Sequence, residues 1–329
     1  MSARTFKIAV IGGGAFGTAL ASVTARAGHD CLIYLRDEQV AKSINESHQN
    51  PKRLPGINLP ESITATTDAE QLQGRQIILF AVPAQQLRPT LSALAPYLKQ
   101  ASHIIACAKG LEHGSGHYQH QILAKYFPQE IILALSGPSF AIDIARELPT
   151  ALTIAADNID NADKIAALLS TPSFRLYSSD DLIGVETGGA LKNVLAIAVG
   201  IVRGMGLGAS AEAALFARGF TELQRLGMAM GARSHTLSGL SGLGDLVLTC
   251  SSPQSRNFAY GVALRAAASQ ENLPLAEGIY TAGIAAGLAK NLAVDAPIIS
   301  AVASILDGTV TPKQAMTMLL ARPLRNESG

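Results

Sequence analysis

Short runs of β-branched and aliphatic residues alternate with amphipathic stretches through the first 180 residues. Ile8–Ile11 predicts a strand, Ala15–Ala27 a helix, Cys31–Leu35 a strand and Glu38–Glu46 a helix. A proline-bearing loop runs from Asn50 to Pro60. Strands are then predicted near Ile63–Thr66 and at Ile77–Val82, a helix over Gln85–Tyr97, and strands at His103–Cys107, Ile131–Leu135, Ala151–Ala155 and Phe174–Tyr177. This alternation argues an α/β fold with a parallel, doubly wound sheet. The pattern changes near Asp180. Leu182–Val202, Ala209–Met230, Phe258–Ala268, Gly278–Lys290, Ala296–Leu306 and Pro312–Leu320 all carry helical periodicity, with no β-rich run between them. The second part is therefore predicted to be all-α. A length of 329 residues suits two domains, here 1–180 and 181–329, with the boundary placed within about 5 residues. No repeat or low-complexity tract interrupts them, and the tail Arg322–Gly329 reads as frayed.

Composition narrows the function classes. The chain is 48% hydrophobic and 16% charged with a net charge of +1, which gives no electrostatic case for nucleic acid or an acidic membrane face. A small anionic substrate needs only local positive charge and stays open. Cys31, Cys107 and Cys250 are far apart, with no metal-ligand spacing, and read as buried reduced thiols of a cytoplasmic protein without a metal. Arg4 and Lys7 before the uncharged stretch Ile8–Ala25 imitate a signal peptide, but Gly12, Gly13 and Gly14 interrupt the apolar core. The apolar run Val194–Val202, between Lys192 and Arg203, is too short for a transmembrane segment.

Gly12-Gly13-Gly14-Ala15-Phe16-Gly17 is GxGxxG, and its place between a predicted strand and helix at the start of a βαβ unit makes it a dinucleotide fingerprint. Gly12 serves the tight turn, Gly14 the approach of a pyrophosphate and Gly17 the close packing of helix on strand. Domain 1–180 is thus read as a dinucleotide-binding Rossmann domain. A glycine-rich turn without a ligand is the bland alternative, and the context disfavours it. About 20 residues beyond the last glycine, where NAD enzymes place an acid for the ribose, stands Arg36, followed by Asp37. Arginine suits a 2′-phosphate. NADPH is favoured, and Asp37 keeps NADH open.

Several polar residues sit in small-residue settings. Lys192 lies in Gly188-Gly189-Ala190-Leu191-Lys192-Asn193-Val194, within an apolar helix where a lone lysine would ordinarily snorkel to solvent. Lys109-Gly110 and Ser136-Gly137-Pro138-Ser139 end strands, where sheet folds bind ligands. Asp245 ends the turn-rich run Ser241-Gly242-Leu243-Gly244-Asp245. Ser255-Arg256-Asn257 precedes a helix; alone it reads as a cap, yet it also suits a phosphate.

Together these stretches resemble the bacterial NAD(P)-dependent glycerol-3-phosphate dehydrogenases from about Phe6 to Arg322, through Lys109–Glu112, Leu135–Ala141, Gly184–Asn193, Gly242–Cys250 and Ser255–Asn257. The resemblance implies that Lys192 is the catalytic lysine and that Lys109, Gly137, Ser139, Asp245, Ser255, Arg256 and Asn257 hold the substrate. It also implies cofactor contacts at Ala15, Phe16, Arg36, Lys109, Ala141, Arg256, Leu275 and Glu277. Two positions depart from the family pattern. Ala15-Phe16 replaces Ser-Trp, and Arg53 replaces a tyrosine, which puts a second cation near the cofactor.

The reaction so implied is reversible reduction of dihydroxyacetone phosphate to sn-glycerol 3-phosphate, which supplies glycerophospholipid synthesis. Protonated Lys192 would support the ketone oxygen, with Asp245 orienting either Lys192 or a substrate hydroxyl. A β-hydroxyacid dehydrogenase would also use a helical lysine but gives no reason for Ser255–Asn257. A non-catalytic NADPH sensor would need GxGxxG and Arg36 but not Lys192, Asp245 and Arg256 together. The apolar helices of the second domain leave a homodimer open.

Overall fold

The computed structural model describes residues 5–264 and 276–323. Eight strands form one sheet: β1 (Lys7–Ile11), β2 (Asp30–Tyr34), β3 (Ile63–Thr66), β4 (Ile77–Phe80), β5 (His103–Ala106), β6 (Ile131–Ser136), β7 (Thr150–Ala156) and β8 (Phe174–Ser179). Their order is β3-β2-β1-β4-β5-β6-β7-β8. The pairs from β3 through β6 are parallel, in the register Ile8↔Cys31 and Ile8↔Ile77 around the first strand. β7 runs antiparallel to β6, and β8 follows β7 in parallel. The expected parallel sheet therefore holds for six strands and reverses at the seventh. Chain order turns round between β1 and β4, and such a switch point opens a crevice at the carboxyl ends of the strands.

The helices of this part are α1 (Ala15–Arg26), α2 (Glu38–Ser47), α3 (Leu87–Leu94), α4 (Gln119–Tyr126), α5 (Ala141–Ala145) and α6 (Ile159–Leu169). The last three are absent from the sequence reading. The helix predicted over Gln85–Tyr97 is α-helical only in α3, with 3-10 turns at Ala84–Gln86 and Ala95–Tyr97, the latter carrying Pro96 in its first turn. Alternate strand residues serve the two faces. Ile8 and Val10 pack with α1, and Ala9 and Ile11 pack with α3 and α4.

After Ser179 the chain enters helices: α7 (Leu182–Met205), α8 (Ala209–Ala229), α9 (Ser234–Leu237), α10 (Asp245–Ser251), α11 (Arg256–Leu264), α12 (Glu277–Asn291), α13 (Pro297–Leu306) and α14 (Pro312–Leu320). Asp181 caps α7, its Oδ1 accepting from Gly184 N at 2.8 Å. α7 is long and apolar enough to cross a membrane, but 94% of its most apolar window is buried among the other helices. The run read as turn-rich before Asp245 is instead a π-helical turn, Leu240–Gly244, leading straight into α10. Tertiary contact overrides local preference here: a Cβ on Gly188 would stand 2.6 Å from Ser241 O and 2.9 Å from Gly242 Cα.

α11 crosses α7 with almost no room. A Cβ on Gly200 would overlap Phe258 O and come within 3.0 Å of Gly261 Cα. Gly200→Ala should therefore destabilise the protein by about 1–3 kcal/mol through overpacking, read as a fall in the denaturant midpoint. An unchanged midpoint would show that the crossing can relax.

Candidate active site

The turn between β1 and α1 has the geometry a pyrophosphate needs. Gly12 holds φ +121, and a Cβ there would lie 2.8 Å from Ala81 O. A Cβ on Gly14 would meet nothing within 4 Å, and one on Gly17 would overlap Gly12 O. The bond from Thr18 N to Gly14 O, 2.9 Å, is the first of α1, so the N–H groups before it stay open to an anion. Ala15 and Phe16 form the first turn, and Lys109 Nζ lies 5.9 Å from the centre of the Phe16 ring. Ala141 opens α5, which packs beside α1.

Arg36 is exposed just past β2, and Arg53 is exposed on the following loop. Asp37 is engaged elsewhere. Its Oδ1 accepts from Gln39 N and Val40 N at 3.0 and 3.2 Å, capping α2, and its Oδ2 meets Lys52 Nζ at 2.6 Å. Across the crevice, Glu277 Oε1 accepts from Ala84 N at 3.3 Å, and its buried Oε2 has no partner among the described residues. Burial pushes the Glu277 carboxyl above the usual range, against the nearby charge of Arg256. Leu275 lies outside the described residues. The open N–H groups, the space at Gly14 and the unsatisfied Glu277 oxygen fit a dinucleotide.

Lys192 does not snorkel. It is 6% exposed, and its Nζ lies 2.5 Å from Asp245 Oδ1 and 2.8 Å from Thr249 Oγ1. The other carboxylate oxygen, Oδ2, takes Lys109 Nζ at 2.8 Å, and Lys109 Nζ also donates to Gly137 O at 2.7 Å. Asp245, 1% exposed, thus orients both lysines. Two ammonium groups on one carboxylate leave one net positive charge, which suits an anion. Burial pulls the Lys192 ammonium down to about 8; Asp245 opposes the shift and Lys109 adds to it.

Gly137 exposes its carbonyl to Lys109 by holding φ +146, where a Cβ would press on Leu152 Cα at 2.9 Å. Ser139 Oγ donates to that carbonyl at 3.2 Å. On the helical side, Ser255 Oγ accepts from Phe258 N at 3.3 Å and caps α11, and Arg256 is exposed beside it. Asn257 is buried in a relay: its Nδ2 donates to Asn193 Oδ1, its Oδ1 accepts from Gly278 N, and Asn193 Nδ2 donates to Lys109 O, each at 2.9 Å. The relay ties α11 and α12 to α7 and to the strand end that carries Lys109. Thr249 and Asn193 are site residues that the sequence reading passed over. Thr249 stands one helical turn after Asp245, the one signal that could have marked it. A separate apolar cavity of about 730 Å³ between α7, α8, α13 and α14 contains none of these residues.

Residues 7–162 match the family described as NAD-dependent glycerol-3-phosphate dehydrogenase N-terminus, and residues 181–317 match its C-terminus. The chain is 53% identical to the glycerol-3-phosphate dehydrogenase [NAD(P)+] of Brucella canis, over 98% of this chain and 99% of that protein. It is 51% identical to the protein of the same name from a Chelativorans species, again over 98% and 99%. Among solved structures it is similar to the glycerol-3-phosphate dehydrogenase of Coxiella burnetii, with a TM-score of 0.90 and 36% identity over 97% and 99% of the two chains.

Proposed function

The chain belongs to the NAD-dependent glycerol-3-phosphate dehydrogenase family, and we propose on that premise that Lys192 is the proton donor in its reversible reduction of dihydroxyacetone phosphate to sn-glycerol 3-phosphate. NADH or NADPH, when bound, would supply the hydride. The observation that carries the role of Lys192 is its buried ammonium, held by Asp245 and Thr249. A developing oxyanion beside that ammonium is stabilised by full charge in a dry site, and the Nζ proton is available to it. Lys109, fixed by Asp245 and Gly137 O, adds a second positive charge on the cofactor side. Arg256, with Ser255, Asn257 and Ser139, is read as the phosphate grip that places C2. In this reading residues 1–180 hold the nucleotide and contribute Lys109, Gly137 and Ser139 to the substrate site, and 181–329 supply the catalytic lysine and the other substrate groups. Its cytoplasmic location is supported by three separate buried thiols, and a homodimer by the exposed Met318 and Leu320 on α14.

A spectrophotometric assay with dihydroxyacetone phosphate and NADPH across a pH series tests this. Reduction needs Lys192 protonated, so its kcat should hold below about 8 and decline above it. Oxidation of glycerol 3-phosphate needs Lys192 neutral and should rise through the same range. Parallel profiles in both directions would remove Lys192 as the titrating acid and base.

A further inference from the structure

The loop after α2 carries a feature that neither the GxGxxG turn nor the lysine site requires. Asn50, fully buried, donates through Nδ2 to Gly13 O at 3.1 Å and to Thr18 Oγ1 at 2.8 Å. Arg53 N and Leu54 N both donate back to Asn50 O, at 3.1 and 2.8 Å. This turn is therefore fastened to the nucleotide-binding turn itself. It presents Lys52 to Asp37 and sets Arg53 beside it.

We propose that Lys52 is a specificity-determining residue: by latching Asp37 it withdraws the one acid placed for an adenosine ribose, and with Arg36 and Arg53 it receives a 2′-phosphate instead. The inference rests on the dehydrogenase reading above. A ribose 2′-hydroxyl wants a carboxylate oxygen as acceptor. Oδ1 of Asp37 is committed to Gln39 N and Val40 N, and Oδ2 to the Lys52 ammonium. NADH must therefore compete with Lys52 for Oδ2, whereas a 2′-phosphate needs no acceptor and attracts the ammonium. The pair is half-exposed, so it stabilises the fold little and Lys52 can turn from Asp37 to a phosphate at small cost. Arg36, Lys52 and Arg53 against Asp37 and Glu38 leave this corner with a net positive charge. The Lys52 hydrogen bond is the largest cause holding the Asp37 carboxyl below the usual range, so Asp37 remains ionised and latched at neutral pH.

The test is calorimetric titration of the substrate-free protein with NADPH and with NADH. Lys52→Met should weaken NADPH about tenfold and tighten NADH, because Asp37 Oδ2 is released. Arg53→Met should weaken NADPH without any gain for NADH. In an Asp37→Asn background, where the asparagine oxygen still caps α2, Lys52→Met should give no NADH gain. NADH affinity that is unchanged, or falls together with NADPH, in Lys52→Met overturns the latch. A wild-type protein that binds neither nucleotide overturns the latch and the dehydrogenase reading together. The expected affinity pattern without turnover of dihydroxyacetone phosphate supports the latch and overturns the substrate assignment alone.

Discussion

Lys192→Ala is expected to lower kcat for dihydroxyacetone phosphate reduction by about 10²-fold or more, with nucleotide affinity nearly unchanged. The magnitude follows from losing the proton donor and the charge beside the oxyanion at once. The fold should survive, because Asp245 keeps Lys109 on Oδ2 at 2.8 Å and is not left as an unpaired buried charge. Thr249 Oγ1 also keeps a partner, donating to Asp245 O at 2.6 Å. Stopped-flow turnover, with circular dichroism and nucleotide titration as controls, separates loss of chemistry from loss of structure. Lys192→Met, which keeps most of the volume, should be as inactive as the alanine variant. Near-normal turnover in either variant would move the donor role to Lys109, the other ammonium on Asp245.

The sequence shows most of the sheet because buried parallel strands are short, continuous apolar runs. Ile63–Thr66 falls where expected, and β1, β2 and β4 differ from expectation only at their ends. α6 carries a legible stripe, Ala162, Ile165, Ala166 and Leu169, after the capping residue Asn158, and the reading passed over it. α5, at five residues, is too short to show a period. β7, where the strand direction reverses, packs against α6 and α7, and the π-helical turn before Asp245 packs against α7, long-range contacts that no local pattern records. The site divides in the same way. Lys192, Asp245 and Lys109 stood out as polar residues in small or apolar surroundings. That Asp245 joins the two lysines was not legible, because the three lie on α7, on α10 and beyond β5. Lys52 reads as an ordinary loop cation until the fold brings it to Asp37. Asn257 reads as a phosphate ligand, and in the structure its side chain is a strut between Asn193 and Gly278.

Replacing Arg256 with alanine tests the identity of the substrate most directly. Arg256 is the first residue of α11, exposed beside the cap Ser255, so it stands at the helix N-terminus. If it holds the phosphate, binding energy remote from C2 positions the reacting carbon, and its loss appears in kcat/KM. Loss of a charged hydrogen bond of this kind costs about 1.5–3 kcal/mol, or roughly 10- to 150-fold in kcat/KM for dihydroxyacetone phosphate. Unphosphorylated dihydroxyacetone never uses the contact, so its kcat/KM should hardly change. Arg256 also pulls on the Glu277 carboxyl in the nucleotide crevice, so NADPH affinity is measured separately and its change divided out. Arg256→Lys should recover only part of the loss, since lysine keeps the charge but not the planar fork. Alanine is also the gentler change structurally, because the α11–α7 crossing is made at Gly261 and Phe258, not at Arg256. An equal fall with both substrates after the cofactor correction would detach Arg256 from the phosphate. The phosphate grip would then rest on Ser255, Asn257 and Ser139 without Arg256.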